Sequence, residues 1–219
     1  MLDQFAEPVR CILRVAEQEA DRLGHNYIGC EHVLAALAQQ PGTPANRILV
    51  GHGLDIESIR GELDRLVEQG VLPPPWHNDA DLLRGLGIDL DAVMRAARQT
   101  FGDAAVDNAA RQVTRRTGWS PLCGKAILVK QALYYAGQQR RERNRPVIEA
   151  PDLLLGLLRD AEQPVDRPRC FNNPWRRRLR GRLGLPLRGP SPVRLVVEAA
   201  GTSLEVLQQA ATAATPVPS

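Results

Sequence analysis

Aromatic residues make up only 4% of this 219-residue chain, and strands draw heavily on aromatic and β-branched side chains, so a sheet-dominated fold is disfavoured from the outset. Ala, Leu and Arg are plentiful instead, which points to an all-α protein. Cysteine is sparse as well. The four residues, Cys11, Cys30, Cys123 and Cys170, lie far apart with no C-x-x-C pair, which argues against a zinc knuckle or a disulfide framework and leaves reduced thiols as the expected state. No run approaches the ~18 apolar residues of a membrane span, and Met1-Leu2-Asp3-Gln4-Phe5 has neither a basic n-region nor an apolar h-region. A cytoplasmic location without a membrane partner is the expectation. Catalytic groupings are missing too: His25, His32, His52 and His77 are scattered, and neither G-x-S-x-G nor H-E-x-x-H occurs. The nearest approach to a phosphate-binding loop, Gly124-Lys125, is followed by Ala126 where Ser or Thr is required. Neither an enzyme nor a cofactor or metal site is expected, and the histidines read as structural.

What is there suffices for a folded protein, since 43% of the residues are hydrophobic. The net charge of +3 conceals an asymmetry: eight arginines and no acid fall between Arg167 and Arg188, so the rest of the chain is net negative.

Helical periodicity opens the chain. Phe5, Val9, Ile12, Ala16, Ala20 and Leu23 recur at spacings of three and four, and Gly24 stops the helix. A second helix is expected from about Glu31, burying Val33, Leu34 and Leu37 before Pro41-Gly42. A third spans Ala45 to Val50, and a fourth starts at Asp55 as N-cap with Ile56, Ile59, Leu63 and Leu66 inward. The segments from Gly53, Gly87 and Gly201 then share one entry pattern, a glycine followed by a capping Asp or Ser (Asp55, Asp89, Ser203) and an acid in the first turn. A second repeat begins at Trp119-Ser120-Pro121, continues through an apolar helix (Ala126, Ile127, Leu128, Val129, Leu133) and closes only at Pro192 to Ala210. Four parts follow: a first repeat over 1–72, a proline linker and connecting helix over 73–118, a second repeat over 119–213 interrupted by an arginine-rich insertion at 165–191, and a tail at 214–219.

The residues His25-Asn26-Tyr27-Ile28-Gly29-Cys30-Glu31-His32-Val33-Leu34, preceded by Phe5-Ala6-Glu7 and Ala16 to Gly24, resemble the Clp N-terminal repeat of the ClpC and ClpA unfoldases, whose pattern reads H-N-x-I-G-T-E-H-I-L. That resemblance implies two pseudo-symmetric four-helix repeats, here with an extra linking helix and a basic insertion, without the unfoldase's ATPase modules. It also implies binding of adaptors and clients, including arginine-phosphorylated ones in ClpC types.

Carried over, the phosphoarginine positions become Ala6, Pro8 and Glu31 in repeat one, and Ser120, Leu122 and Pro151 in repeat two, so most of the charge-assisted hydrogen bonds to a phosphate are lost. Glu31 then reads first as an acid suited to the helix dipole and second as a ligand contact. Cys30 stands where the family has its Thr cap, and about 1 kcal/mol of capping is expected to go with it. The family's adaptor and cyclic-peptide surface corresponds to Leu2, Arg10, Leu13, Arg14, Glu17 and Trp119, with filling of the interface between repeats as the alternative role for Leu13 and Trp119. In the insertion, Arg176, Arg177, Arg178, Arg180 and Arg182 stand beside Phe171 and Trp175, a composition that can hold anions or stack bases, although a solvated, largely disordered loop is the preferred reading. The expected function is non-catalytic binding of Clp ATPase or protease components, adaptors or clients, as an adaptor or a decoy. Nucleic-acid association through the insertion is the alternative.

Overall fold

Each amphipathic segment of the first repeat folds where its apolar spacing puts it. The computed structural model describes residues 4–75, 89–116, 125–165 and 174–214, which contain eleven helices and two short strands. In chain order these are α1 (Glu7–Arg22), β1 (Tyr27–Ile28), α2 (Cys30–Ala38), α3 (Pro44–Gly51), α4 (Ile56–Glu68), α5 (Leu90–Phe101), α6 (Asp103–Arg116), β2 (Ala126–Ile127), α7 (Lys130–Glu142), α8 (Ala150–Ala161), α9 (Pro174–Arg182), α10 (Pro192–Ala199) and α11 (Leu204–Ala213). Among the described residues the fold is all-α apart from one two-stranded ladder and an isolated bridge. The three repeated helix entries are used as the pattern predicts: Asp55 accepts from Ser58 N at 2.8 Å, Asp89 from Ala92 N at 3.1 Å and Ser203 from Val206 N at 3.3 Å.

Two helices form the centre. Residues Glu31 to Ala38 of α2 and Ala150 to Leu158 of α8 are buried on every side, as expected of helices apolar all round. The α1/α2 and α7/α8 pairs repeat one another in detail. Gly24, with φ +65°, ends α1, and Asn144, with φ +51°, ends α7, Asn being the commonest substitute for glycine in that left-handed position. In each case the following amide closes the turn, His25 N to Ala20 O at 2.8 Å and Arg145 N to Arg140 O at 3.0 Å.

The halves exchange backbone hydrogen bonds reciprocally. β2 lies parallel to β1 with Tyr27 opposite Ala126 and Ile28 opposite Ile127, and Leu128 N donates to Ile28 O at 2.9 Å. On the other side Phe5 bridges Ile148, and Ala6 N donates to Ile148 O at 3.0 Å. The residues before α1 therefore meet the entry of α8, while those before α7 meet the entry of α2.

This exchange corrects the register of the second repeat. Leu128, not Ser120, is the counterpart of Ala6, because the two make the same bond to equivalent isoleucines. Residues 126–127 form a strand and the helix begins at Lys130, whereas the sequence reading places Ala126 to Val129 in the helix. A continuous apolar run does not by itself distinguish strand from helix. Trp119, Ser120 and Leu122 lie outside the described residues.

The described part of the insertion is packed, against the expectation of a loose loop. Leu179, Leu183 and Leu185 are 6%, 4% and 5% exposed and join the core. Pro73 and Pro75 also sit on the body, Pro75 against Gly24 and Pro73 near Gly184. Among the described residues no helix is long and apolar enough to cross a membrane, and no three His, Cys, Asp or Glu side chains converge to hold a metal ion.

One glycine sets how closely the second pair packs. A Cβ on Gly156 would lie 2.4 Å from Ala132 O and 2.8 Å from Ala136 N, both backbone atoms of α7, so the helices must move apart to admit it. Gly156→Ala is expected to cost about 2 kcal/mol in urea unfolding. Gly137→Ala, on α7 with nothing within 4 Å of the added carbon, should instead stabilise by roughly 0.5 kcal/mol.

Candidate functional site at the entry of the second helix

The loop between α1 and α2 is held by a chain of hydrogen bonds whose proton positions are fixed. Gly29 N–H donates to His32 Nδ1 at 3.0 Å, so the His32 proton resides on Nε2. His32 Nε2 lies 2.9 Å from His25 Nδ1, which must accept, and His25 Nε2 is left to donate to Pro73 O at 3.0 Å. Both rings are therefore neutral. Burial holds His25 below its ordinary value, partly opposed by the Pro73 carbonyl, and burial, with the adjoining His25 ring and the Lys125 charge, holds His32 well below it. Tyr27 stacks on His25 at 4.9 Å between centroids and lies 5.3 Å from His32. Lys125 closes the back of the loop, donating to His25 O at 2.6 Å and pairing with Asp21 at 2.7 Å.

Gly29 is the N-cap of α2, and Cys30 is the first helical residue. The expectation that Cys30 occupies and weakens the cap is thus corrected: the capping bond comes from His32, three residues into the helix, and Cys30 Sγ donates to Asp160 Oδ2 at 3.5 Å. Gly29 has φ −105°, open to any residue, so what a side chain there would disturb is the space taken by Glu31. A Cβ would fall 2.2 Å from Glu31 Oε1, because the Glu31 carboxylate folds back over the glycine.

In front of this loop is a narrow cleft of about 30 Å³ lined by Tyr27, Cys30 and Glu31, by Leu128 and Asp160, and by Arg180 from the insertion. Glu31 and Asp160 are each 4% exposed. Neither Tyr27 Oη nor Glu31 Oε1 has a hydrogen bond of good geometry. Burial first, then the adjacent Glu31 carboxylate, pushes the Tyr27 phenol well above its ordinary value, so it is a neutral donor. Behind α1, burial pushes the Glu19 carboxyl up, but the hydrogen bonds and charges of Arg60 and Arg22 outweigh it and hold Glu19 below the usual range.

The sequence-predicted residues separate into three groups. Glu31 lies in the cleft beside Leu128 of the other half, whereas Ala6 bonds to Ile148, so Ala6, Pro8 and Glu31 do not share one site. On α1, Arg14 is exposed and lies 3.8 Å from Glu7, half-buried Arg10 pairs with the same carboxylate at 2.5 Å, Glu17 is half-buried and Leu13 packs against the core. Leu2 and Trp119 lie outside the described residues. Arg176, Arg177, Arg178, Arg180 and Arg182 all fall in α9, with Arg178 and Arg182 exposed and Arg180 turned inward, donating Nε and Nη2 to Pro186 O at 3.2 and 2.9 Å.

Sequence reasoning missed Asp160, Tyr27 and the histidine pair. The pair had a signal: His32 stands three residues after Gly29, the spacing at which a helix side chain reaches back to its own N-cap. The second repeat uses the same spacing, Glu149 N donating to Asp152 Oδ2 at 3.0 Å, with Arg145 in the place of His25 at 3.8 Å.

Residues 4–80 match the model of the Clp repeat (R) N-terminal domain. Over 70 residues, 32% of this chain and 9% of the relative, the chain is 39% identical to the negative regulator of genetic competence ClpC/MecB of Bacillus subtilis. It is 36% identical over 73 residues to the chaperone protein ClpB of Oceanobacillus iheyensis, covering 33% and 9% of the two chains. A longer match, 26% identical over 144 residues, joins 66% of this chain to 16% of the ATP-dependent Clp protease ATP-binding subunit ClpA homolog of Porphyra purpurea. The matches thus span between 9% and 16% of the length of these Clp relatives. In fold, 97% of the chain superposes on 95% of the N-terminal domain of the caseinolytic protease associated chaperone ClpD from Arabidopsis thaliana, with a TM-score of 0.52 and 14% identity. Residues 4–80 are thus similar in sequence to the Clp repeat (R) N-terminal domain, and nearly the whole chain shares the fold of the ClpD N-terminal domain.

Proposed function

We propose that the chain is a non-catalytic protein-binding module that works with Clp unfoldases, either presenting clients to a Clp ATPase or sequestering the ligands of its N-terminal domain. The observation that carries this reading is the source of the cleft. Its tyrosine, thiol and one of its two acids come from residues 27–31, inside the stretch that matches Clp ATPases. Two carboxylates facing one cleft suit a basic side chain of a partner by charge complementarity. The α1 face adds Arg10, Arg14 and Glu17 around Leu13, charged groups about an apolar centre.

The test is a degradation assay with a purified Clp ATPase and its peptidase, ATP and fluorescent casein. An adaptor accelerates casein loss and a decoy slows it. No change at saturating chain, together with no co-elution with the ATPase, rejects the proposal. Arg10→Glu with Arg14→Glu should weaken the association by roughly tenfold, the scale of charge reversal at an interface rim. The insertion favours a protein partner over nucleic acid, because its leucines are spent in the core and Arg180 turns inward. A steep salt dependence of DNA binding would reverse that preference.

A further inference from the structure

We propose that the arginine-rich insertion is an internal ligand: α9 and the turn after it close the cleft at the entry of α2, with Arg180 seated where a basic group of a partner would go. This regulation rests on the reading of the cleft as a binding site.

Three observations carry it. The first is charge. Among the described residues the ionisable groups of the cleft wall besides Arg180 are the buried acids Glu31 and Asp160, the Tyr27 phenol and the Cys30 thiol, so Arg180 is the cation of the described wall. The second is anchorage. Leu179, Leu183 and Leu185 tie the segment into the core on either side of Arg180, the guanidinium is steered by Pro186 O, and the base of the insertion is closed by Val165 N donating to Gly189 O at 3.0 Å. The third is the space left over. A volume of about 30 Å³ holds roughly one water, so a side chain can enter only if Arg180 withdraws. Tyr27 Oη and Glu31 Oε1 are both buried without a well-formed hydrogen bond, which leaves unused polar capacity that a displacing group can take up.

A tethered ligand of this kind lowers the apparent affinity for an external one by the fraction of time the cleft is open. Weakening the tether should therefore expose the cleft and strengthen external binding together.

Cys30 reports on the cleft without reference to any partner. In the full chain, N-ethylmaleimide labelling of Cys30 is followed by peptide mass spectrometry, with Cys11 on α1 as internal reference. Arg180→Gln, and separately Leu183→Ala, should accelerate labelling of Cys30 by about tenfold and leave Cys11 unchanged, as expected for a local opening. Argininamide in excess should then slow Cys30 labelling in Arg180→Gln and have little effect on the parent chain. Equal Cys30 rates in the parent and both variants would overturn the proposal, as would parallel acceleration of Cys11, which marks general unfolding. Arg180→Gln keeps all three leucines, so it remains a valid test if Leu183→Ala loses the fold. Because labelling needs no Clp protein, closure of the cleft can succeed or fail independently of the degradation assay.

Discussion

Replacing Asp152 by alanine is expected to destabilise the chain by about 4 kcal/mol, the scale seen when one partner of a buried ion pair is removed. Asp152 is fully buried in the first turn of α8, and Arg143, 8% exposed, holds its Nη1 3.6 Å from Asp152 Oδ1. Arg145 approaches the other oxygen at 3.8 Å, and Glu149 N donates to it at 3.0 Å. Truncation therefore removes the cap of α8 and strands a guanidinium that has little water to turn to. Asp152→Asn keeps an oxygen for the Glu149 amide and loses only the charge, so it should cost less, about 3 kcal/mol. Glu149→Gln removes an exposed i,i+4 partner of Arg145 and should shift stability by no more than about 0.5 kcal/mol. Urea unfolding followed by circular dichroism ranks the three. A loss below about 1 kcal/mol for Asp152→Ala would mean that the arginines find other partners and the ion pair is not what holds this turn.

The corresponding place in the first repeat should make stability depend on pH. His25 and His32 are held neutral in the folded chain with values below the ordinary one, while in the unfolded chain they titrate near 6.5. Above that pH neither state binds extra protons, and their contribution is constant. As pH falls through about 6.5 the unfolded chain takes up protons that the folded chain refuses, so stability falls by as much as ~1.4 kcal/mol per pH unit for each histidine until the folded values are reached. A drop of about 2 kcal/mol between pH 7 and pH 5.5 is expected. The charged groups around the pair are Glu19, Glu31, Lys125 and Arg22. Glu19 is shifted below its ordinary value, so its stabilising contribution is lost as pH falls from the ordinary carboxylate value toward the lower folded one, beneath the histidine window. Thermal melts of the parent and of His25→Gln with His32→Gln should show the slope in the first and a much flatter curve in the second, whatever the double variant's overall stability. An unchanged slope in the double variant would show that the rings are not what refuses the proton.

The first repeat was legible because its information is local. Apolar spacing set α1 to α4, and the Gly-x-Asp entry at Gly53 fixed the cap of α4 without reference to anything distant. The second repeat was legible as a repeat but not in its register. Ala126 to Val129 are apolar without period, and only their pairing with β1, a hundred or so residues earlier, decides between strand and helix. The cleft was half legible. Glu31 belongs to a recognisable motif, but Asp160 sits at the end of another helix and Arg180 in an insertion whose composition suggests solvation. What the composition did not reveal is that three leucines among those arginines suffice to fold the segment back onto the body. The chemistry of the two helix entries was equally hidden. Histidine with histidine and arginine with aspartate solve the same capping problem, and nothing in the residue types announces their equivalence.

The reciprocal pairing of the two halves also bears on the order in which the chain can be finished during synthesis. Phe5 emerges well before its partner Ile148, and Tyr27 must wait for Ala126. Four helices of the first half can form early, but the ribosome has to deliver the opening of the second, to Ala126 for one backbone edge and to Ile148 for the other, before the two are covered. Such long-range closures slow folding relative to a simple helical bundle of the same size. Until then the nascent first half carries an open edge at Tyr27 and Ile28, which makes that short strand the place where a chaperone would be of most use.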